Sequence, residues 1–489
     1  MTQTFLAVDL GAESGRAIVG RLRSGVLSLD EVYRFANEPV QWNGTLQWDI
    51  LRLWLDVKRG LEMVSDTRLA SVGVDAWGVD YALLGERGNL LENPYHYRDA
   101  RNAGMMDAVF ERVSREKIYA ITGIQFIQIN TLYQLFAACR TTPHLIDAAE
   151  SLVTIPDLFN YWLSGEIASE YTVATTTQFI DATTRGWATR LLSEIGLPTR
   201  LLTRIVQPGS VLGTIQRGVS EKASGTPVVV PACHDTASAV VSVCGGGSSA
   251  FISSGTWSLL GTELAAPVLT AKARDLNFTN EGGVGGTIRL LKNIGGLWLL
   301  QSCRRSWAAQ GKSIEYEELL DAASDDGLAF RSLVDPDYPG FLNPDDMPAA
   351  IAAYCRRTGQ AEPSAPPEVV RAIVDSLAFK YRMVLEALEE VSGLHFEDIR
   401  IVGGGSRNRL LNQFTANATG RRVIAGPVEA TALGNIAMQM LATGAISSLA
   451  EARRVIESSF PVERFEPQDA DRWDVQYRRF ADYMELAFA

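Results

Sequence analysis

The sequence lacks both long apolar runs and basic patches. No segment approaches the roughly 20 consecutive apolar residues that a membrane-spanning helix needs. The start, MTQTFLAVDL, lacks the basic region and the cleavage site of a signal peptide. The net charge is −12, and no Lys/Arg-rich stripe opposes it, which disfavours nucleic acid as a partner. We therefore expect a cytoplasmic protein that binds neither membranes nor nucleic acids.

Cysteine and histidine are also scarce. The five cysteines include no CxxC pair, which fits neither a disulfide framework nor a zinc site, and the four histidines show no metal-ligand spacing. Gly311-Lys312-Ser313 ends like a Walker A loop, but Ser306 stands where the first glycine is required. No GxGxxG follows a predicted strand. These absences disfavour a metal hydrolase, a P-loop enzyme and a nicotinamide dehydrogenase.

What the sequence does contain is a β-hairpin pattern that occurs twice. With 489 residues, two large domains are the simplest expectation. The first pattern consists of the strand Phe5 to Asp9, a turn from Gly11 to Gly15 and the strand Arg16 to Leu22. The second consists of the strand Ala250 to Ser253, the turn Ser254-Gly255-Thr256 and the strand Trp257 to Leu260.

A helix and a further strand follow each hairpin. They are Ile50 to Val64 and Leu69 to Asp75 in the first half, and Pro367 to Val391 and Ile399 to Val402 in the second. The repeated order predicts two similar α/β lobes that face each other across a cleft, although two hairpins can also resemble each other by chance. The glycine-rich segment Gly245 to Ser249 predicts the boundary, with domains 1–244 and 245–489.

Each hairpin turn could hold a phosphate group. Asp9 ends a strand and precedes small residues whose backbone N–H groups can point at an anion, and its carboxylate suits Mg²⁺. The equal alternative is an aspartate that hydrogen-bonds its own turn. Ser253 to Trp257 offers hydroxyls and turn amides without a carboxylate, which suits a second clamp on the phosphates.

Asp235 follows a predicted buried strand, Pro227 to Cys233, and precedes a predicted helix start, Ala237 to Val241. It could be a helix N-cap, or a general base that accepts a hydroxyl proton during phosphoryl transfer. The neighbouring His234 could contact a sugar oxygen or a backbone group. The sequence leaves both choices open.

Other polar residues could line a pocket. Trp77-Gly78-Val79-Asp80 follows a first-half strand, where α/β folds bind ligands, and its aromatic, glycine and acid suit a polyol. Asn293 and Gln301 flank an apolar helical pattern from Ile294 to Leu300, and they could be pocket residues or surface amides.

Several motifs in order resemble the carbohydrate kinases of the FGGY family. The resemblance spans nearly the whole chain and implies two actin-like (ribonuclease H-like) lobes that bind Mg·ATP and a sugar. The motifs are Asp9-Leu10-Gly11 to Arg16, Trp77-Gly78-Val79-Asp80, His234-Asp235-Thr236-Ala237-Ser238-Ala239, Ser254-Gly255-Thr256-Trp257-Ser258, Lys292 to Gln301, Val402-Gly403-Gly404-Gly405 and Gly426 to Asn435.

The resemblance also implies roles for individual residues. Asp235 would be the catalytic base and Asp9 the Mg²⁺ partner. The expected reaction moves the γ-phosphate of ATP to O1 of L-rhamnulose; the alternatives are L-fuculose, xylulose or glycerol as acceptor, or a sensor without turnover. The oligomeric state stays open, and a monomer is compatible with the sequence. The ATP site would comprise Ala12, Glu13, Ser14, Gly15, Arg16, Thr256, Asn293, Gln301 and Gly404, and the sugar site Gly78, His234, Asp235 and Thr236.

Overall fold

The structure is a computed structural model that describes residues 2–64, 67–243 and 249–488. Its contacts divide the chain into two compact units: the first combines Met1–Cys244, Glu263–Leu290 and Ala430–Phe460, and the second combines Gly245–Thr262, Leu291–Glu429 and Pro461–Ala489. The predicted boundary between residues 244 and 245 lies outside the described residues, as does Cys244, and it stays a prediction.

Strands occur in both units. Numbered in chain order, they are β1 Gln3–Leu10, β2 Ser14–Arg23, β3 Val26–Ala36, β4 Pro39–Trp42, β5 Thr45–Trp48, β6 Ser71–Ala76, β7 Tyr81–Leu84, β8 Ser151–Thr154, β9 Ser169–Glu170, β10 Ile205–Val206, β11 Val211–Thr214, β12 Pro227–Val229, β13 Ser249–Ser254, β14 Trp257–Leu264, β15 Thr279–Gly282, β16 Ile288–Gly295, β17 Asp398–Val402, β18 Arg422–Ala425 and β19 Glu463–Phe465.

Helices connect and cover the strands. They are α1 Ile50–Met63, α2 Met105–Phe110, α3 Arg115–Thr122, α4 Thr131–Thr141, α5 Pro143–Ala148, α6 Ile155–Ser164, α7 Tyr171–Thr176, α8 Thr189–Ile195, α9 Asp235–Val241, α10 Ala271–Asp275, α11 Trp298–Ala309, α12 Tyr316–Ala323, α13 Met347–Arg357, α14 Pro366–Ser392, α15 Arg409–Thr419, α16 Ala430–Ala442, α17 Leu449–Ser459 and α18 Ala470–Phe488. None of these helices is both long and apolar enough to cross a bilayer.

The main sheet of the first unit has the strand order β11, β12, β6, β1, β2, β3. Strand β1 pairs antiparallel with β2 and parallel with β6. Residues 4–10 of β1 are all buried, as expected for a central strand with both faces covered. Helices α9 and α16 pack together near this sheet, and Gly434 permits their close approach because a Cβ there would overlap the Ser238 carbonyl.

The sheet of the second unit repeats this arrangement and includes the order β16, β14, β13, β17, β18, β19. Strand β13 pairs antiparallel with β14 and parallel with β17. Its core contains an aromatic cluster in which α14 meets α18 through Phe379, Trp473 and Phe480. The predicted hairpin, helix and third strand are thus confirmed in both units.

Some predicted elements differ from the structure. The helical pattern from Ile294 to Leu300 is wrong in its first half, because Ile294 and Gly295 end β16 and α11 begins only at Trp298. Gly296 explains the break, since a Cβ there would lie 2.6 Å from the carbonyl carbon of Trp257, a backbone approach that favours glycine. The strand predicted from Pro227 to Cys233 ends at Val229.

Candidate active site

Most of the first-unit candidates lie where neighbouring parallel strands end. Asp9 is the penultimate residue of β1, and Gly78 follows the end of β6. The Ala76 N–H donates to the Cys233 carbonyl at 3.0 Å, which places the segment before α9 beside the end of β6. Parallel strands meet ligands at their carboxyl ends, so the structure brings Asp9, Gly78 and His234 to Thr236 to one edge of the sheet.

The first turn is held by charge and by close packing. Asp9 lies opposite Arg16 in the hairpin, and Arg16 Nη2 is 3.3 Å from Asp9 Oδ2. A Cβ on Gly15 would overlap the Phe35 ring. Asn37, which the sequence did not indicate, donates through Nδ2 to the Gly11 carbonyl at 2.8 Å and through its N–H to the Glu13 carbonyl at 3.0 Å. The predicted phosphate turn, Ala12 to Arg16, is therefore pre-shaped.

A second buried carboxylate, Asp75, lies opposite Asp9 in the parallel pairing of β1 with β6. Its Oδ2 accepts from Asn435 Nδ2 at 2.5 Å, whereas the buried Oδ1 has no hydrogen-bond partner among the described residues. Burial, followed by the charge of Asp9, raises the pKa of Asp75 well above its ordinary value, and the charge of Asp235 acts in the same direction. Two carboxylates in this setting fit a hard cation such as Mg²⁺, which prefers oxygen ligands.

Gly78 is fixed by a network beneath it. A Cβ at this position would lie 2.9 Å from Thr176 Oγ1, which also accepts the Val79 N–H at 3.0 Å. Val79 has a φ of 68°, in the left-handed region that β-branched residues rarely adopt. Its carbonyl accepts from Thr131 Oγ1 at 2.6 Å. Such over-determined strain is characteristic of functional sites.

Asp80 anchors this loop from within the core. Its Oδ2 accepts from Trp48 Nε1 at 2.6 Å and from Trp77 Nε1 at 3.0 Å, and its Oδ1 accepts from Gln134 Nε2 at 2.8 Å. Burial raises the pKa of Asp80 to about 6, although these hydrogen bonds oppose the shift. The ring of His96 stacks on Trp48, and burial lowers the pKa of His96 to about 3. Asp80 and Trp77 thus support Gly78 from below.

Asp235 is the first residue of α9, and His234 occupies the N-cap position. Asp235 Oδ1 accepts from the Thr236 N–H at 2.5 Å and from Thr236 Oγ1 at 3.1 Å, and it lies 3.4 Å from His234 Nε2. Oδ2 has no hydrogen-bond partner among the residues that the structure describes, and 32% of the side chain is exposed. Asp235 is therefore not the N-cap residue. One of its carboxylate oxygens accepts hydrogen bonds from Thr236, and the other is available to accept a proton.

The turn of the second unit is built from neutral groups. The Thr256 carbonyl accepts from the Trp298 N–H at 3.0 Å, and the Gly255 carbonyl accepts from the Leu297 N–H at 3.1 Å, so the turn abuts the start of α11. Gln301 lies in the first turn of that helix, and its buried Oε1 has no hydrogen-bond partner in the described part of the chain. An unpartnered buried acceptor is suited to a ligand donor.

The remaining second-unit candidates lie on adjacent strands. Asn293 is half-buried in β16, the neighbour of β14. Gly404 follows β17, and apart from its chain neighbours no atom of the described residues lies within 4 Å of the place where its Cβ would be. A Cβ on Gly405 would instead overlap the Ser254 side chain, which ties this glycine turn to β13. The structure thus brings Thr256, Gln301 and Gly404 to neighbouring elements of the second unit.

Sequence reasoning missed several buried residues that support the candidates. Asp75 ends a strand that the sequence predicts, and the identity of its partner Asn435 could not be foreseen at a separation of 360 residues. Glu281 and Arg289 lie in a glycine-rich stretch that gives no local signal. They contact His234 Nδ1, from Glu281 Oε2 and from Arg289 Nη2, each at 3.2 Å.

Comparisons with known proteins identify the family of the chain. Residues 4–242 match the N-terminal domain, and residues 250–443 the C-terminal domain, of the FGGY family of carbohydrate kinases. A rhamnulokinase of Bacteroides thetaiotaomicron is 46% identical, and the match covers 98% of this chain and 99% of that protein. A rhamnulokinase of Pectobacterium atrosepticum is 42% identical over 98% of this chain and 96% of its own length.

Solved structures share the fold. A ligand-bound xylulose kinase from Lactobacillus acidophilus superposes with a TM-score of 0.82 at 16% identity, and the match covers 100% of this chain and 99% of the other. A Plasmodium falciparum glycerol kinase with ADP superposes with a TM-score of 0.78 at 16% identity, covering 100% and 99% of the two chains. The predicted two-domain α/β kinase fold is confirmed.

Proposed function

Because the chain belongs to the FGGY family of carbohydrate kinases, we propose that it transfers the γ-phosphate of ATP to O1 of L-rhamnulose, giving L-rhamnulose 1-phosphate and ADP in L-rhamnose catabolism. One observation carries the choice of acceptor: relatives named rhamnulokinase are 40–46% identical over 94–98% of this chain. The xylulose and glycerol kinases share the fold at only 16–19% identity, so their substrates do not bear on the acceptor of this chain.

The proposed base is Asp235. Its Oδ2 would accept the proton of the sugar hydroxyl as the hydroxyl oxygen attacks the γ-phosphorus and the bond to the β-phosphate oxygen breaks. Support comes from the geometry described above, in which Oδ1 is held and the side chain is 32% exposed. We place Gly78, His234 and Thr236 against the sugar, because they lie at the same edge of the first sheet.

Phosphoryl transfer depends chiefly on positioning and on stabilising developing charge. We propose that the turn Ala12 to Arg16 supplies backbone amides and the Arg16 guanidinium to the phosphates. Thr256, Asn293, Gln301 and Gly404 would complete the nucleotide site. Asp9, with Asp75 beside it, would hold Mg²⁺ directly or through water, and the ion would neutralise phosphate charge when bound.

The proposed reaction indicates where in the cell the protein acts. A sugar kinase needs a compartment that contains ATP and the imported sugar, and we therefore propose that the protein is cytoplasmic. Fractionation of cells that express the tagged protein tests this, and activity confined to the membrane or extracellular fractions would contradict it. We propose a small-molecule acceptor as its substrate, with no nucleic acid partner.

The substrate is tested by ADP release with Mg·ATP across L-rhamnulose, L-fuculose, D-xylulose and glycerol, with the product identified by ³¹P NMR. We expect the highest kcat/KM with L-rhamnulose and a phosphate ester on O1. Equal or better turnover of another acceptor would overturn the substrate assignment, and no turnover of any acceptor would favour a sensor. Asp235→Asn, expected to lower kcat by about 10²- to 10⁴-fold, tests the base.

A further inference from the structure

A buried charged cluster lies behind the proposed base in the first unit. It consists of His234, Glu281 and Arg289, whose side chains are 9%, 5% and 1% exposed. Arg289 Nη2 lies 3.1 Å from Glu281 Oε2, and Arg289 Nε donates to the Gly282 carbonyl at 3.0 Å. Burying charges is costly, so a pair retained at this depth needs a compensating role or excellent geometry.

The contact between Arg289 and His234 determines where the imidazole proton lies. Arg289 Nη2 is 3.2 Å from His234 Nδ1 with hydrogen-bond geometry. A guanidinium group only donates, so Nδ1 must be the acceptor in this bond. In a neutral ring the proton is then on Nε2, which is the nitrogen that faces Asp235 Oδ1 at 3.4 Å. Glu281 Oε2 also lies 3.2 Å from Nδ1, but it forms no hydrogen bond with any described residue, whereas Arg289 Nη2 does bond to Nδ1.

Further acidic groups surround this cluster. Burial alone would raise the pKa of Glu281, but nearby charge, chiefly that of Arg289, outweighs it, so that the pKa of Glu281 lies below its ordinary value. Besides Glu281, Arg289 feels the negative charges of Glu170, Asp235 and Glu263. Glu170 itself accepts from the Cys233 N–H at 3.1 Å, so acidic groups approach His234 from α9, from β15 and from the start of α7.

We propose that Arg289 and Glu281 are positioning residues that set the proton-accepting oxygen of Asp235. Arg289 holds His234 with its proton on Nε2, Glu281 holds and neutralises Arg289, and His234 together with Thr236 engages Oδ1. Oδ2 is consequently the oxygen that faces the sugar hydroxyl. The inference rests on the proposed role of Asp235 as the base and adds two residues that do not touch the substrate.

A double-mutant cycle separates this role from a general structural one. We expect Arg289→Lys, which keeps the charge but not the planar fork, to lower kcat about 10-fold or more, and less than the loss of the base itself. In an Asp235→Asn background the same change should have no further effect beyond about 2-fold. If Arg289→Lys lowers kcat equally in both backgrounds, or in neither, the proposal is wrong. Glu281→Gln, which conserves the shape of the side chain, can replace Arg289→Lys in the same double-mutant cycle.

The matched control is Arg371→Lys in the second unit. Arg371 also forms a buried pair, with Arg371 Nε 2.9 Å from Asp375 Oδ1 and exposures of 4% and 0%. We expect this variant to lower the melting temperature while kcat and the His234 signal stay unchanged. A loss of kcat in both arginine variants that tracks their melting temperatures would assign the effect to stability and overturn the positioning role.

A spectroscopic measurement tests the tautomer without substrate, first in the wild type and then in the arginine variant. The ¹⁵N resonances of histidine report which ring nitrogen carries the proton, and this chain has four histidines, so His234→Gln identifies the signal by its loss. We expect Nε2 protonated in the wild type and a mixture of tautomers in Arg289→Lys. A wild-type proton on Nδ1 would contradict the proposal, whereas full turnover by Asp235→Asn would contradict the proposed function independently of the tautomer.

Discussion

The two hairpin turns have the same topology but differ in chemistry. The first carries the Asp9–Arg16 ion pair at 3.3 Å and lies beside a second buried carboxylate, Asp75. The second offers backbone groups, the Thr256 hydroxyl and a close contact between Gly405 and Ser254. One backbone arrangement therefore carries two chemistries: the first turn has paired and neighbouring charges, which we propose serve the cation, and the second has neutral groups only.

The largest effect is expected when the charge of the first turn is removed. Asp9→Asn should lower kcat/KM by about 10²- to 10³-fold, the scale for removing one group that stabilises developing charge. Thr256→Ala removes a single hydroxyl and should cost about 10-fold, the scale of one hydrogen bond to a charged group. The measurement is steady-state kinetics over a Mg²⁺ titration.

The titration itself distinguishes the turns. Excess Mg²⁺ should restore part of the Asp9→Asn loss and leave Thr256→Ala unchanged. Equal sensitivity of both variants to Mg²⁺ would contradict the proposal that only the first turn serves the cation.

A second prediction concerns the strands that follow the hairpins. After β6 comes the buried Asp80, with a pKa of about 6, whereas β17 runs into Gly403 to Gly405. Because the folded pKa lies above the ordinary 3.8, the stabilisation from the bound proton is complete below pH 3.8 and is lost as pH rises through about 6. The difference of about two pKa units corresponds to about 3 kcal/mol.

Urea unfolding from pH 4 to 7 tests this. The free energy of unfolding of Asp80→Asn should fall less steeply over this window than that of the wild type, whatever its absolute value. Gly404→Ala serves as the control and should reproduce the wild-type slope. Parallel curves for Asp80→Asn and the wild type would contradict the assigned pKa.

The smallest effects are expected for substitutions of the glycines beside the second, neutral turn. Gly405→Ala should destabilise the protein by about 1–3 kcal/mol, because its Cβ would overlap the Ser254 side chain. Gly404→Ala meets open space and should change stability by less than about 0.5 kcal/mol while raising the KM for ATP. Thermal unfolding and ATP titration measure both. An unchanged KM in Gly404→Ala would remove this residue from the nucleotide site.

Local patterns predicted much of this fold. The spacing of apolar residues located α1 to within a residue of its end and found the 27-residue helix α14. Both turns were found because glycine and strand residues are local signals. The last two residues of β16, Ile294 and Gly295, were misread as the start of a helix, because the apolar spacing around α11 does not mark the residue at which the helix begins.

The supporting residues of the site could not be predicted in this way. Asn435 meets Asp75, and Arg289 meets His234, only after distant segments pack together. A buried arginine or asparagine has the same local pattern as an exposed one. The residues assigned to ATP, sugar and Mg²⁺ stay predictions.

The first unit is completed by a segment from near the far end of the chain. In α16, Gln439 Nε2 donates to the Leu6 carbonyl at 2.9 Å, and Asn435 reaches the carbonyl of Gly73 at 3.2 Å. During translation, these hydrogen bonds to β1 and β6 can therefore form only after more than 350 further residues have left the ribosome. Nascent chains arrested before α16 should need chaperone protection, and a gene truncated at the middle should not yield a stably folded half.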